Sequence, residues 1–278
     1  MGGDGRAGRT PRTRRTGATA PVLLVTGAGM AAATRLRTLP VLAERFPVIA
    51  MHAGGVSGDP RDALAALADQ AVARLDEAGA SGAHVYGLSF GGMIAQEIAL
   101  RHPERVRSLV LGATTAGGVL RVPPDEAARE FIERRAEMPV LEGLWASVPY
   151  SYALVTRRRR AHRIGEDIAE RLKSPPDLDH HRVQRGAALR HDAAGRLERI
   201  GAATLVLHGE EDRMMPPENG RLLAGAIPGA RLLTVPDAAH LYPSDEPGAD
   251  REVVRFMLAQ QPSRTRPARS GSAREARA

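Results

Sequence analysis

Short apolar runs rich in β-branched residues alternate with segments of helical period between residues 21 and 260. The first run, Pro21-Val22-Leu23-Leu24-Val25-Thr26, closes on Gly27-Ala28-Gly29 and reads as a buried strand followed by a tight turn. Similar runs lie at 48–51, 83–87, 106–111, 204–207 and 230–235. Between them, residues 61–78 place Leu64, Leu67, Ala68, Ala71, Val72 and Leu75 on one helical face, after an Asp59-Pro60 start signal. Helices are also expected at 91–101, stopped by His102-Pro103, and at 218–226 and 250–259. Strands that alternate with helices imply a mostly parallel sheet covered on both faces, the α/β class.

The alternation breaks once. Residues 114–200 contain no convincing strand but several helical stretches, near 125–137, 164–173 and 179–189. An insertion of this kind between two sheet strands reads as a helical cap over the sheet's carboxyl edge, where open α/β sheets bind ligands. The expected organisation is a core of residues 21–113 and 201–260, a cap of 114–200, and two tails, 1–20 and 261–278.

Charge narrows the function classes. The chain has 278 residues and a formal net charge of +7, and all its basic residues but Lys173 are arginine. The first 20 residues carry a net +4 and the last 18 another +4, which leaves −1 for the body. A nucleic-acid-binding body would carry a basic face on its folded part, so no specific nucleic-acid partner is expected. Both tails are rich in Arg, Gly, Ser, Thr, Pro and Ala and read as disordered ends. Arg14-Arg15 is a twin arginine, but the apolar run after it is shorter than an export signal needs. No run of 18 apolar residues suggests a membrane span. The chain has no cysteine, so it has no disulfide, thiolate ligand or cysteine nucleophile. Together these features set the expectation of a cytoplasmic protein.

Gly87-Leu88-Ser89-Phe90-Gly91-Gly92 fits G-x-S-x-G between a strand and a helix. In that setting the serine sits on a sharp turn with its hydroxyl above the sheet, and the helix N-terminus behind it favours developing negative charge. A serine hydroxyl is a weak nucleophile and needs a base, itself oriented by a third group. Asp212, after the fifth strand, and His240, after the sixth, supply both in the chain order Ser, Asp, His. Each has a plainer reading: Ser89 as an ordinary turn residue, Asp212 as a helix cap with Glu210 and Glu211 as rival acids, His240 as a loop histidine. His84 and His208 read as packed beside strands; His102, His162, His180, His181 and His191 as helix-surface or cap residues. His180-His181 with Asp177 and Asp179 match no metal-ligand spacing. The run Arg157–Arg160 reads as a solvated face, with attraction of an anionic substrate as the sharper alternative.

The motifs GLSFGG, HGEEDRMMPP and AAHLYPSDEP make the chain resemble the α/β-hydrolase superfamily from about Val22 to Met257. Within it, the chain looks most like single-domain bacterial esterases and lactonases. Gly112–Gly118 and the cap length also resemble intracellular polyhydroxyalkanoate depolymerases and 3-oxoadipate enol-lactonase-like proteins. The resemblance implies an α/β-hydrolase fold with catalytic Ser89, Asp212 and His240. It also implies an oxyanion hole from the backbone N–H groups of Phe90 and Ala28. Thr26 stands where such families usually carry the histidine of His-Gly-x-Gly. In the stretch after the second strand, 51–59, the usual acidic and arginine positions are missing, which puts loop stability in question more than chemistry.

The activity so implied is hydrolysis of a small-molecule ester, lactone or thioester through an acyl-enzyme, with no metal and no cofactor. The alternatives are a thioesterase or acyltransferase, a cofactor-free haloperoxidase or perhydrolase, and a non-catalytic ligand-binding member of the fold. Specificity is expected to lie in the cap, and Met30, Leu144, Trp145, Tyr150, Tyr152 and Leu241 are the expected pocket residues. Nothing in the sequence fixes the acyl group or the oligomeric state.

Overall fold

The computed structural model describes residues 19–27, 30–52, 59, 62–173 and 178–261. Both tails lie almost wholly outside them, as does most of the stretch after the second strand. Six strands form one sheet: β1 (Val22–Thr26), β2 (Val48–His52), β3 (Ala83–Leu88), β4 (Val106–Gly112), β5 (Thr204–Gly209) and β6 (Arg231–Val235). Their order is β2-β1-β3-β4-β5-β6, and every neighbouring pair is parallel. The chain runs from β1 out to β2 at one edge, then returns to place β3 on the other side of β1. The order therefore reverses between β1 and β3, and a crevice opens at their carboxyl ends.

Burial on both faces explains the apolar strand runs. In β1, Leu23 and Val25 join a core layer with Leu67 and Ala71 of the Ala63–Glu77 helix and Ile94 of the Phe90–Arg101 helix. Val22 and Leu24 join the opposite layer, with Leu42, Phe46, Val253 and Met257. A fully buried leucine contributes roughly 2 kcal/mol by area, so these two layers outweigh the weak preferences of any single strand.

The opposite layer also encloses a polar knot. Tyr86 donates to Asp250 Oδ1 at 2.9 Å, and its hydroxyl lies 2.5 Å from that of Tyr242. Burial pushes the Asp250 carboxyl up to about 6. The folded state then holds an extra proton between the ordinary carboxylate value and about pH 6. Stability falls as pH rises through that window and is level above it. An asparagine amide keeps an acceptor for Tyr86 without a charge. Asp250→Asn is expected to raise unfolding free energy at pH 7 by on the order of 2 kcal/mol and to flatten its dependence between pH 4 and 6. Urea unfolding at both pH values checks this, and a less stable variant at pH 7 would contradict it.

Between β4 and β5 the described residues are mostly helical, and an isolated bridge pairs Gly117 with Asp192. The helices are Glu126–Arg134, Val140–Ala146, Val148–Ser151, Leu154–Arg159, Ala161–Leu172 and Leu178–Arg190. Among the described residues no helix is long and apolar enough to cross a membrane.

Candidate active site

The turn after β3 is held in an unusual backbone conformation. Ser89 has φ 55° and ψ −118° and caps the Phe90–Arg101 helix. A non-glycine residue there is strained and persists because its surroundings over-determine it. Ser89 N donates to Gly112 O at 2.8 Å, and Thr114 Oγ1 donates to Ser89 O at 2.8 Å. The flanking glycines are steric necessities. A Cβ on Gly87 would sit 2.3 Å from Gly91 O, and one on Gly91 would sit 2.1 Å from Val25 O. The sharp turn fits only because both side chains are missing.

Two further loops converge on this turn from the same sheet edge. His240 Nε2 lies 3.0 Å from Ser89 Oγ, and His240 Nδ1 lies 2.9 Å from Asp212 Oδ2. Asp212 is buried, and its Oδ1 accepts from the N–H groups of Met214 at 3.0 Å and Met215 at 2.8 Å. Burial alone would raise its pKa. The facing His240 charge and the hydrogen bonds from His208 and His240 outweigh burial and hold Asp212 below the usual carboxylate range. His208 Nε2 is 2.7 Å from Met215 O, a carbonyl that can only accept, so that nitrogen carries the proton. The same N–H faces Asp212 Oδ2 at 3.3 Å. Of the rival acids, Glu211 accepts instead from Leu154 N–H at 2.8 Å, and Glu210 is exposed.

Phe90 N–H stands at the first turn of the helix behind Ser89. Ala28, the other expected oxyanion donor, lies outside the described residues. Just before it, buried Thr26 Oγ1 lies 2.7 Å from His52 Nδ1, tying the ends of β1 and β2 together. The substituted position thus holds a strand-to-strand hydrogen bond.

A cavity of about 420 Å³ opens above Ser89, with Gly27, Phe90, His240 and Leu241 in its wall. Leu241 is there as expected, and the other expected pocket residues are elsewhere. Met30, Leu144 and Tyr152 are buried in the core layer beneath β1 and β3. Tyr152 also donates to Asp167 Oδ2 at 3.0 Å. Trp145 is 54% exposed. Tyr150 stacks on Phe131 at 5.0 Å and lies under the Arg213 guanidinium. Tyr150 and Tyr152 pack within the helical segment and Trp145 faces outward, and none of the three is in the cavity wall. The wall they were expected to form comes instead from residues between 121 and 135, from Arg171, from residues between 184 and 189, and from Met214 and Met215. His191 also departs from expectation: it is buried against Gln96, and burial lowers its pKa to about 4. Asp177 and the side chains of Asp179, His180 and His181 lie outside the described residues; among those described, no cluster of three or more His, Asp or Glu could hold a metal.

Comparison with known proteins settles the family. The sequence model described as alpha/beta hydrolase fold matches residues 20–247. The chain belongs to this family. The hydrolase-fold chain is 31% identical over 261 residues to a poly(3-hydroxyalkanoate) depolymerase of Ectopseudomonas oleovorans, covering 90% of each. It is 31% identical over 224 residues to a pimeloyl-[acyl-carrier protein] methyl ester esterase of Neisseria meningitidis serogroup B, covering 73% of this chain and 78% of that protein. Among solved structures it is similar to a thermophilic esterase from Thermogutta terrifontis, with a TM-score of 0.66 and 26% identity, covering 88% and 91% of the two chains. The enol-lactonase of Burkholderia xenovorans LB400 shares the fold, with a TM-score of 0.73 at 22% identity over 86% of this chain and 92% of that one. Relatives of this hydrolase-fold chain are thus named for hydrolysis of several kinds of acyl compound.

Proposed function

We propose that the chain is a serine hydrolase that cleaves a carboxylic ester or lactone of a small to medium organic substrate. The observation that carries this reading is the unbroken line Ser89 Oγ, His240 Nε2, His240 Nδ1, Asp212 Oδ2, with contacts of 3.0 and 2.9 Å, at the floor of a cavity. His240 takes the Ser89 proton as Ser89 Oγ attacks the carbonyl carbon. The oxyanion forms against the Phe90 N–H, with Ala28 N–H as the second donor. Collapse expels the alcohol, which leaves with the proton from His240, and an acyl-Ser89 ester remains. Water then attacks that ester with His240 again as base, and the second tetrahedral intermediate expels Ser89 Oγ, which takes its proton back from His240 as the carboxylic acid departs. Asp212 stays ionised, fixes the His240 tautomer and stabilises the imidazolium. The helical segment 114–200 acts as a cap that forms the acyl site. No step calls for a metal or an organic cofactor.

A fluorophosphonate tests this reading. The expected product carries one phosphonyl group on Ser89, located by peptide mass spectrometry, and labelling abolishes hydrolysis of 4-nitrophenyl butyrate. Full hydrolytic activity after exhaustive treatment, with Ser89 unmodified, would overturn it.

A further inference from the structure

The cap side of the cavity is cationic. Arg121, Arg129, Arg135, Arg171 and Arg185 line it, against the single carboxylate of Glu133. Several charges of this segment are paired: Arg213 with Asp125 at 2.7 Å, Arg35 with Glu170 at 2.6 Å and Arg196 with Glu97 at 2.6 Å. Arg135 and Arg171 differ. Neither forms an ion pair among the described residues, although the Asp167 carboxylate acts favourably on Arg171 from a longer range, and both residues are partly exposed. They lie close enough for the Arg171 charge to act against that of Arg135, whose pKa burial lowers to about 10. The nearest ring to Arg135 is Phe131, at 5.9 Å, an apolar neighbour that supplies no countercharge.

Five guanidinium groups in one partly covered wall repel one another, and the Asp167 and Glu133 carboxylates offset only part of that charge. Guanidinium groups are strongly suited to one kind of partner, a planar anion taken through parallel N–H donors. The cavity holding them also holds Ser89 and His240, and its volume suits a small organic molecule. We infer that the substrate is a monoester or lactone of a dicarboxylic acid, whose free carboxylate is held by Arg135 and Arg171 while its acyl carbonyl sits over Ser89. This inference rests on the acyl-transfer reading above. The body of the chain is nearly neutral, so selectivity for an anion must come from this local pair rather than from long-range steering.

The test compares two esters of equal chain length, 4-nitrophenyl hydrogen glutarate and 4-nitrophenyl pentanoate. The chain is expected to favour the anionic ester in kcat/KM by at least about 10-fold. Arg171→Met is expected to cut that selectivity ratio by about 10- to 100-fold, the range for charge-assisted hydrogen bonds; Arg135→Met acts in the same direction. Preference for the neutral ester, or a ratio unchanged in both variants, would overturn the inference. Binding provides a readout that needs no catalysis. Glutarate is expected to raise the Tm of the Ser89→Ala protein in proportion to its occupancy, and to raise it less in Ser89→Ala/Arg171→Met. No shift with glutarate, or an equal shift with inorganic phosphate, would count against a carboxylate site. A chain that binds glutarate but cleaves neither ester would sink the acyl-transfer reading and leave the anion site standing.

Discussion

Ser89→Ala is expected to lower kcat on 4-nitrophenyl butyrate by about 10⁴- to 10⁶-fold and to abolish the burst of 4-nitrophenol. The size of the loss follows from the lack of a substitute. The chain has no cysteine, and the neighbouring hydroxyl of Thr114 is committed to the Ser89 carbonyl. Removing Oγ leaves His240 Nε2 with no nucleophile to deprotonate other than water. The residual rate would come from the Phe90 N–H and from substrate binding. Folding should be spared, because alanine keeps the β-carbon and the hydrogen bonds to the elbow run through the Ser89 backbone. A Tm within a few degrees of the wild type would separate loss of chemistry from loss of structure. A reduction smaller than about 100-fold in a folded variant would remove Ser89 from the proposed role.

The strands were legible because parallel strands buried on both faces must be continuous apolar runs. Each of the six runs became a strand whose ends moved by only one or two residues. The helices with a long apolar face, such as Ala63–Glu77, were equally plain. The segment after β1 was not read as helical. Pro40 looks like a breaker there, yet it sits in the first turn of Leu39–Ala43, after a π-helical stretch from Thr34 to Thr38. The run is helical without a break from Ala31, and the π-helical turn just before Pro40 is the local irregularity that accommodates its missing N–H. The helices from Val140 to Arg159 were missed for a different reason. Four to seven residues are too few to display a 3.6 period, and Pro139 and Pro149 interrupt them.

The site was legible where the backbone imposes a motif. Gly87 and Gly91 are required by contacts near 2 Å, and such constraints leave a trace in any single sequence. The cavity wall leaves no such trace. Trp145, Tyr150 and Tyr152 are expected in the pocket from the sequence, but Tyr150 and Tyr152 pack within the helical segment and Trp145 is exposed. Arg135 and Arg171 lie far apart in the chain, and only the tertiary arrangement places both in the cavity wall that also holds Ser89. In the sequence they are two arginines in an arginine-rich chain.

Asp212→Asn carries the second large effect, an expected fall in kcat of about 10⁴-fold with geometry preserved. The effect depends on which end of the amide faces His240. The Oδ1 position accepts two backbone N–H groups, from Met214 and Met215, so the asparagine oxygen belongs there. Its NH₂ group is then driven to the position of Oδ2, against His240 Nδ1. The weaker contact with His208 at 3.3 Å opposes this, but the His208 proton already has a partner in the Met215 carbonyl at 2.7 Å. An amide donor facing Nδ1 forces the His240 proton onto Nε2, where it points at Ser89 Oγ. That tautomer cannot accept the serine proton. The wild-type carboxylate, held below the usual range, stays ionised across neutral pH and prevents this state. Nitrogen chemical shifts of His240 should report the exchange of tautomer near pH 8, alongside single-turnover acylation rates. If the tautomer reverses while acylation slows less than about 10-fold, His240 is not the base.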